Sequence, residues 1–303
     1  MRSIPRTQHV WSFDRRTPPA AVVRPGERLA IETHDAHGGT IQSDSDSLET
    51  PHPKGVNPVT GPIHIEGASP GSGLVVIVER IKLAPQGYTG VRRNTGLLAP
   101  RATIPVTRIV KLRGEQIVFS NRIWFPVRPM VGTIGVAPAG EPVACLYPGP
   151  HGGNMDNNLV TTGAKVHLPV FVEGGLFALG DVHASMGDGE ISFVGLDFPA
   201  EVTVSVTLEP AAALGRPWIE TEHGDWVTTG DDLDPAAALR LAASQMIDLL
   251  MAKLGLSFEE AYMLATIRGD LGICQAADPG KFPVTTRFAM PASIVNPQRR
   301  YFT

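Results

Sequence analysis

EVTVSVTL, residues 201–208, is the stretch that decides the fold. Val202, Val204, Val206 and Leu208 occupy every second position, with Thr203, Ser205 and Thr207 between them. A repeat of two is the period of a β-strand with one face on a core. Outward from it the same reading recurs. In RLAIETHD, residues 28–35, Leu29, Ile31 and Thr33 alternate with other residues. Residues 74–78 are continuously apolar, bounded by Pro70-Gly71 and by Glu79-Arg80, as in a strand buried on both faces. Runs at 106–112, 116–120, 166–172 and 190–196 add further predicted strands. The 32 glycines and 27 prolines are spread along the 303 residues and punctuate them into short segments joined by turns.

The character changes at Asp231. Asp234 precedes Pro235, a cap residue followed by a proline at the first helical position. Leu239, Ala243, Met246, Ile247, Leu250 and Leu254 then recur every three or four residues, which predicts an amphipathic helix with Gly255 as its left-handed terminus. Ser257 and Glu260 form a capping box for a second helix running to about Ile273. Leu264, Ile267 and Leu271 read as core on that helix, or as a subunit interface. The predicted fold is mainly β, barrel- or sandwich-like, with a C-terminal α+β part containing two helices. Its regions are 1–230, β-rich and catalytic, and 231–303, helical and packed on the first as one compact unit.

Composition narrows the function. The net charge is −4, and no Lys/Arg stripe offers a nucleic-acid surface. Hydrophobic residues make up 43% and charged residues 18%, as expected of a protein with a real core. No apolar run approaches the length of a membrane span, and residues 1–10 lack the apolar stretch of a secretory signal. Cys145 and Cys274, far apart, do not make a disulfide framework and fit a reducing, cytoplasmic setting. Each reads as packing rather than as a nucleophile. No nucleophile elbow, P-loop, dinucleotide fingerprint or His-Glu-x-x-His helix is present.

Four polar clusters stand at the ends of apolar segments. His34-Asp35-Ala36-His37-Gly38-Gly39 holds metal-ligand types, though taken alone it reads as a turn in which Asp35 accepts backbone hydrogen bonds. Residues 57–63, NPVTGPI, read as a proline-fixed turn before a strand, or as one wall of a pocket. His151-Gly152-Gly153-Asn154-Met155-Asp156 is either a wide surface turn or a loop aiming backbone N–H groups at an oxyanion. The fourth cluster runs from Gly180 to Glu190 and includes Asp181, His183, Asp188 and Glu190. Asp181 and His183, two apart, share a side in an extended segment, which suits a shared metal or an acid–base pair. Crowded carboxylates raise one another's pKa, which suits proton transfer near neutral pH. The cluster does not match an EF-hand loop.

Taken together, NPVTGPIHIEGASPG (57–71), GTIGVAPA (132–139), PGPHGGNMDNN (148–158), LPVFVEGGLFALGDVHASMGDGE (168–190) and RGDLGICQ (268–275) resemble the acetamidase/formamidase family, in order over about residues 28–275. The resemblance implies hydrolysis of a short amide such as formamide or acetamide, or of a lactam. It also implies a mostly β fold, a homo-oligomer and an association with zinc or calcium. Asp35, His151, Asn154, Asp156, Asp181, His183, Asp188 and Glu190 match its motifs. His34 and His37 match none, and Asp270 has no account.

The roles within that set follow from chemistry. Asp35, His151, Asp181 and His183 are the expected ligands of a divalent metal, zinc before calcium, which would acidify water and polarise the amide. Glu190 or Asp188 is the expected general base, and Asn154 with Gly152 and Gly153 the oxyanion donors. A metal-free mechanism would use Asp188 and Glu190 alone. A small-ligand or calcium-binding protein without turnover is the alternative from another class.

Overall fold

In the computed structural model, which describes residues 1–50 and 53–295, the alternating segment at 201–208 lies inside the strand Ala200–Glu209. This strand pairs antiparallel with Arg28–Thr33 on one side and Gly73–Leu83 on the other. They belong to a nine-stranded sheet that continues through Lys165–Pro169, Trp218–Glu220, Trp226–Asp232, Val284–Met290 and Asp270–Gln275, with Arg2–Ile4 at the opposite edge. A second, seven-stranded sheet has Phe177–His183 near its centre, between Met130–Gly135 and Val59–Ile65.

The apolar faces of the two sheets share one core. Leu29, Ile31, Val76, Val202, Val204 and Val206 from the first meet Ile63, Ile65, Val131, Ile134, Phe177 and Leu179 from the second. Each is withdrawn from water, and burying such a side chain contributes about 1.5–3 kcal/mol. The sheets are open, so the mainly β reading resolves as a sandwich. A four-stranded sheet, made by Gln86–Val91, Val106–Arg113, Gln116–Val118 and Trp124–Pro126, carries a smaller core of its own with Val110 and Ile117.

Two helices complete the architecture. In α1, Pro235–Leu254, Asp234 caps the start by accepting from Ala236 N, and Gly255 ends it at φ 65°. In α2, Phe258–Arg268, the Ser257/Glu260 capping box forms as the sequence predicts. Helix α1 lays Ala238, Ala242, Met246 and Leu250 on the strands Trp226–Asp232 and Val284–Met290. No single helix among the described residues is long and apolar enough to cross a membrane.

Three local expectations are corrected. Helix α2 stops at Arg268, and 270–275 is a strand rather than a last helical turn. Leu271 and Ile273 satisfy a period of two as well as a helical spacing, and pairing with Val284–Met290 decides for the sheet. Ile267 and Leu271 are consequently exposed rather than core. Residues 190–196 form no strand, because Glu190 and Phe193 take left-handed backbone that breaks the pleat. The strand at Val59–Ile65 begins inside the segment read as a proline turn. A register irregularity against Phe177–His183 lets it hold Pro62, which has no N–H for the ladder. The strand Trp226–Asp232 runs across residues 230 and 231 and pairs with Val284–Met290, which joins the two regions in one sheet.

Candidate active site

The site gathers at the end of the strand Phe177–His183. Asp181 and His183 are both buried there, with His183 Nε2 3.4 Å from Asp181 Oδ1 and 3.0 Å from Asp197 Oδ1. The next strand over supplies Thr133, and the strand Gly152–Asn154 sets Asn154 opposite it. The Thr133 hydroxyl donates to Asn154 Oδ1 at 2.6 Å and lies 3.2 Å from Asp181 Oδ2. Asn154 Nδ2 donates to Asp156 Oδ2 at 2.6 Å. Asn57, just before the strand Val59–Ile65, donates to Asn154 Oδ1 and to Asp181 Oδ2 at 3.0 and 2.8 Å. Gly132 makes room for this arrangement, since a Cβ there would stand 2.8 Å from both Asp156 Oδ1 and Asp181 Oδ2.

These groups line a cavity of about 40 Å³. Asn57, Asn154, Asp156, Asp181, His183, Glu190 and Asp197 form its polar side, while Val56, Leu146, Phe193, Val194 and Phe282 form its apolar side. Arg92, His37 and Gln275 also reach it. Left-handed backbone is concentrated here. Seven non-glycine residues among those described have positive φ, and five of them line this cavity: Asn57, Asp156, Asp181, Glu190 and Phe193. Such conformations persist only where the surroundings impose them, and they cluster at functional sites.

The electrostatics are those of crowded acids. Burial raises the Asp156 carboxyl to about 7, and the neighbouring Asp181 adds to the shift. Burial also holds Glu190 well above the usual carboxylate range, helped by the charge of Asp156. The two share a proton near neutral pH. Burial opposes charge on His183, yet Asp181 and Asp197 outweigh it and raise its pKa well above the ordinary value. Asp197 in turn bonds Tyr88, whose hydroxyl lies 2.6 Å from His37 Nδ1.

Asp156, Asp181 and His183 each offer a ligand atom, all within 4.8 Å of one another, so this buried group could hold a metal ion. The donor set fits. Asp156 Oδ1 and His183 Nδ1 are buried with no hydrogen-bond partner, and a cation would balance the surrounding carboxylates.

Of the residues singled out in the sequence, the structure brings together Asn154, Asp156, Asp181, His183 and Glu190. It sets three apart. Asp35 turns inward to accept from His37 N and Gly39 N and does not belong to the metal-competent group. Burial raises it to about 6. His151 packs edge-on against Phe13 at 5.0 Å, and burial lowers it to about 4. Asp188 is a surface residue paired with Arg287. Gly152 and Gly153 lie in the sheet, with Gly153 opposite Ile134, rather than in an open loop facing the cavity. His37 is buried at the cavity wall, while His34 stacks edge-on with His9. Asp270 begins an exposed edge strand.

Sequence reasoning missed Asp197, Tyr88, Thr133 and Arg92. Thr133 lies within the segment 132–139 that carries the family resemblance, and Asp197 ends the apolar run at 193–196. Tyr88 and Arg92 carry no local signal.

Comparison with known proteins places the chain in a family. The model of the Acetamidase/Formamidase family matches residues 6–146 and 139–294. The crystal structure of an acetamidase from Bacillus halodurans is 33% identical, with a TM-score of 0.92 over 96% of this chain and 98% of that one. That of a predicted acetamidase/formamidase from Thermoanaerobacter tengcongensis is 35% identical, with a TM-score of 0.92 over 96% of each chain. The acetamidase of Mycolicibacterium smegmatis is 26% identical over 82% of each.

Proposed function

The chain is an amidohydrolase of the acetamidase/formamidase family, and on that premise we propose that it hydrolyses a short linear amide, of the size of formamide or acetamide, to the carboxylic acid and ammonia. The size of the cavity carries this reading. One water needs about 10–15 Å³ of such space, so about 40 Å³ accepts a body of three or four heavy atoms. A bicyclic lactam is larger than that space, which favours the short amide.

Asp156, Asp181 and His183 would hold a divalent ion. The imidazole donor favours a zinc-like ion over calcium, which takes oxygen ligands. When bound, the ion supplies acidified water. The chain's own groups do the rest. Asn57 and Thr133 orient Asp181, and Asn154 orients Asp156. Asp197 holds the His183 ring from the other side. Glu190 takes a proton from the attacking water and passes it to the departing nitrogen, a role suited to a carboxyl whose pKa burial has raised. A carboxylate-only mechanism is the second reading, and the Asp156–Glu190 pair with its shared proton supports it. The pair Asp188 and Glu190 does not serve, because Asp188 faces Arg287.

The test is ammonia release from formamide, acetamide and propionamide, and ring opening of a bicyclic lactam, each with and without EDTA and with zinc added back. Turnover of the short amides that EDTA abolishes and zinc restores is the expected result. Turnover indifferent to EDTA selects the carboxylate mechanism. Preference for the lactam would overturn the substrate reading.

A further inference from the structure

Two side-chain nitrogens of the cavity lining are buried with no hydrogen-bond partner, His183 Nδ1, read above as a metal ligand, and Arg92 Nε. Asn57 Nδ2 donates to Asn154 and Asp181, and Asn154 Nδ2 to Asp156. Gln275 Nε2 donates to the Pro283 carbonyl at 2.9 Å. His183 Nε2 lies against Asp181 and Asp197. His37 bonds the Tyr88 hydroxyl and the Leu48 backbone. With His183 Nδ1 given to the ion, Arg92 remains. Its Nε is buried and has no hydrogen-bond partner, and its guanidinium makes no ion pair among the described residues. The guanidinium carbon lies 6.0 Å from the centre of the Phe193 ring, which packs edge-on against Phe282 at 5.0 Å. The cationic head is therefore seated on the apolar wall of the cavity, with a donor left over.

A buried donor without an acceptor costs about 1–3 kcal/mol. A substrate oxygen would satisfy it. The backbone donors expected of Gly152 and Gly153 are in the sheet, and with His183 Nδ1 assigned to the ion, Arg92 Nε is the unpartnered side-chain donor left for the amide oxygen.

We propose that Arg92 is a catalytic residue that donates from Nε to the carbonyl oxygen of the amide and stabilises the negative charge that oxygen gains. This deepens the amidase reading and rests on it. Water adds to the carbonyl carbon, the C–N bond breaks, and the nitrogen leaves with the proton taken from the water. Arg92 keeps its own proton throughout. Donors placed at a developing oxyanion act mainly on kcat.

The experiment measures kcat, KM and melting temperature of Arg92→Met, Arg92→Lys and Arg92→Ala in the full chain, the last with and without guanidinium chloride at low concentration. Arg92→Met is expected to lose about 10²–10³ in kcat, with a much smaller change in KM and an unchanged melting temperature. Arg92→Lys should retain part of the activity, and guanidinium should restore part of that of Arg92→Ala. An Arg92→Met enzyme with wild-type kcat overturns the proposal. So does a loss that tracks the melting temperature and is not rescued by guanidinium, since that is the behaviour of packing on Phe193.

Failure of the amidase reading is separable. If the wild type releases no ammonia from any amide, it is the amidase reading that fails, whereas turnover by the wild type with an equal kcat in Arg92→Met fails the role of Arg92 alone.

Discussion

Asp188 and Glu190 stand two residues apart in one acidic loop, and the structure gives them opposite surroundings. Asp188 is half exposed and grips Arg287 with both oxygens, at 2.8 and 2.6 Å, while Asn158 donates to it at 2.8 Å. The Arg287 hydrogen bonds hold its pKa below the usual carboxylate range. Glu190 buries its carboxyl against Asp156, and burial and that neighbouring charge outweigh the nearby His183, so its pKa rises. The two histidines repeat the lesson. His151 and His183 are equally buried, at 2% and 1% exposure. Burial, with the charge of Arg216, lowers His151, whereas two carboxylates reverse the effect of burial at His183. Residue type does not set the proton inventory. The partner brought by the fold does.

The strongest way to break this contrast is to neutralise each carboxyl in turn. Glu190→Gln is expected to lower kcat by about 10²–10⁴, while Asp188→Asn leaves it near the wild-type value. Steady-state ammonia release decides, and comparable losses in both variants would erase the distinction.

Next in size is the histidine comparison. His151 is near 4 when folded, against about 6.5 when unfolded. Because the folded value is depressed, its contribution is complete above about pH 6.5 and is lost as pH falls toward 4. Integrated over that window it amounts to about 3 kcal/mol. Urea unfolding at pH 7.5 and 4.5 should show His151→Gln losing less stability on acidification than the wild type. Parallel losses would mean that burial does not govern this residue.

The closed character of the inner region can be sharpened through Phe193, which holds left-handed backbone at φ 69° on the apolar wall. Phe193→Ala should raise kcat/KM for butyramide relative to acetamide by about tenfold, the scale of a methylene or two in an apolar pocket. An unchanged ratio would place the size limit elsewhere.

The smallest effect is expected at the surface. Removing the Asp188–Arg287 pair with Asp188→Asn should change stability by less than about 1 kcal/mol, since exposed ion pairs are screened. As the folded pKa is lowered, that small contribution is present above the unfolded value near 3.9 and lost as pH falls below it. Thermal melts at pH 7 and pH 3 check it.

By itself the sequence determined the strands whose alternation is unbroken, such as 201–208, and both helix starts, because caps and period are local properties. It also paired Asp181 with His183, since two residues apart in a strand is a distance set by backbone geometry. Only the tertiary structure decided what those two face. Asp197, Tyr88 and Arg92 arrive from other strands and loops, and Asp35, His151 and Asp188 leave the cavity despite lying in equally suggestive motifs. It also decided the end of α2 and the loop at 190–196. There a local pattern admitted two conformations, and pairing with a distant strand or burial of a strained carboxyl chose between them. Which carboxylates keep a proton follows from burial and from partners far away in the chain, and neither is written in the residues beside them.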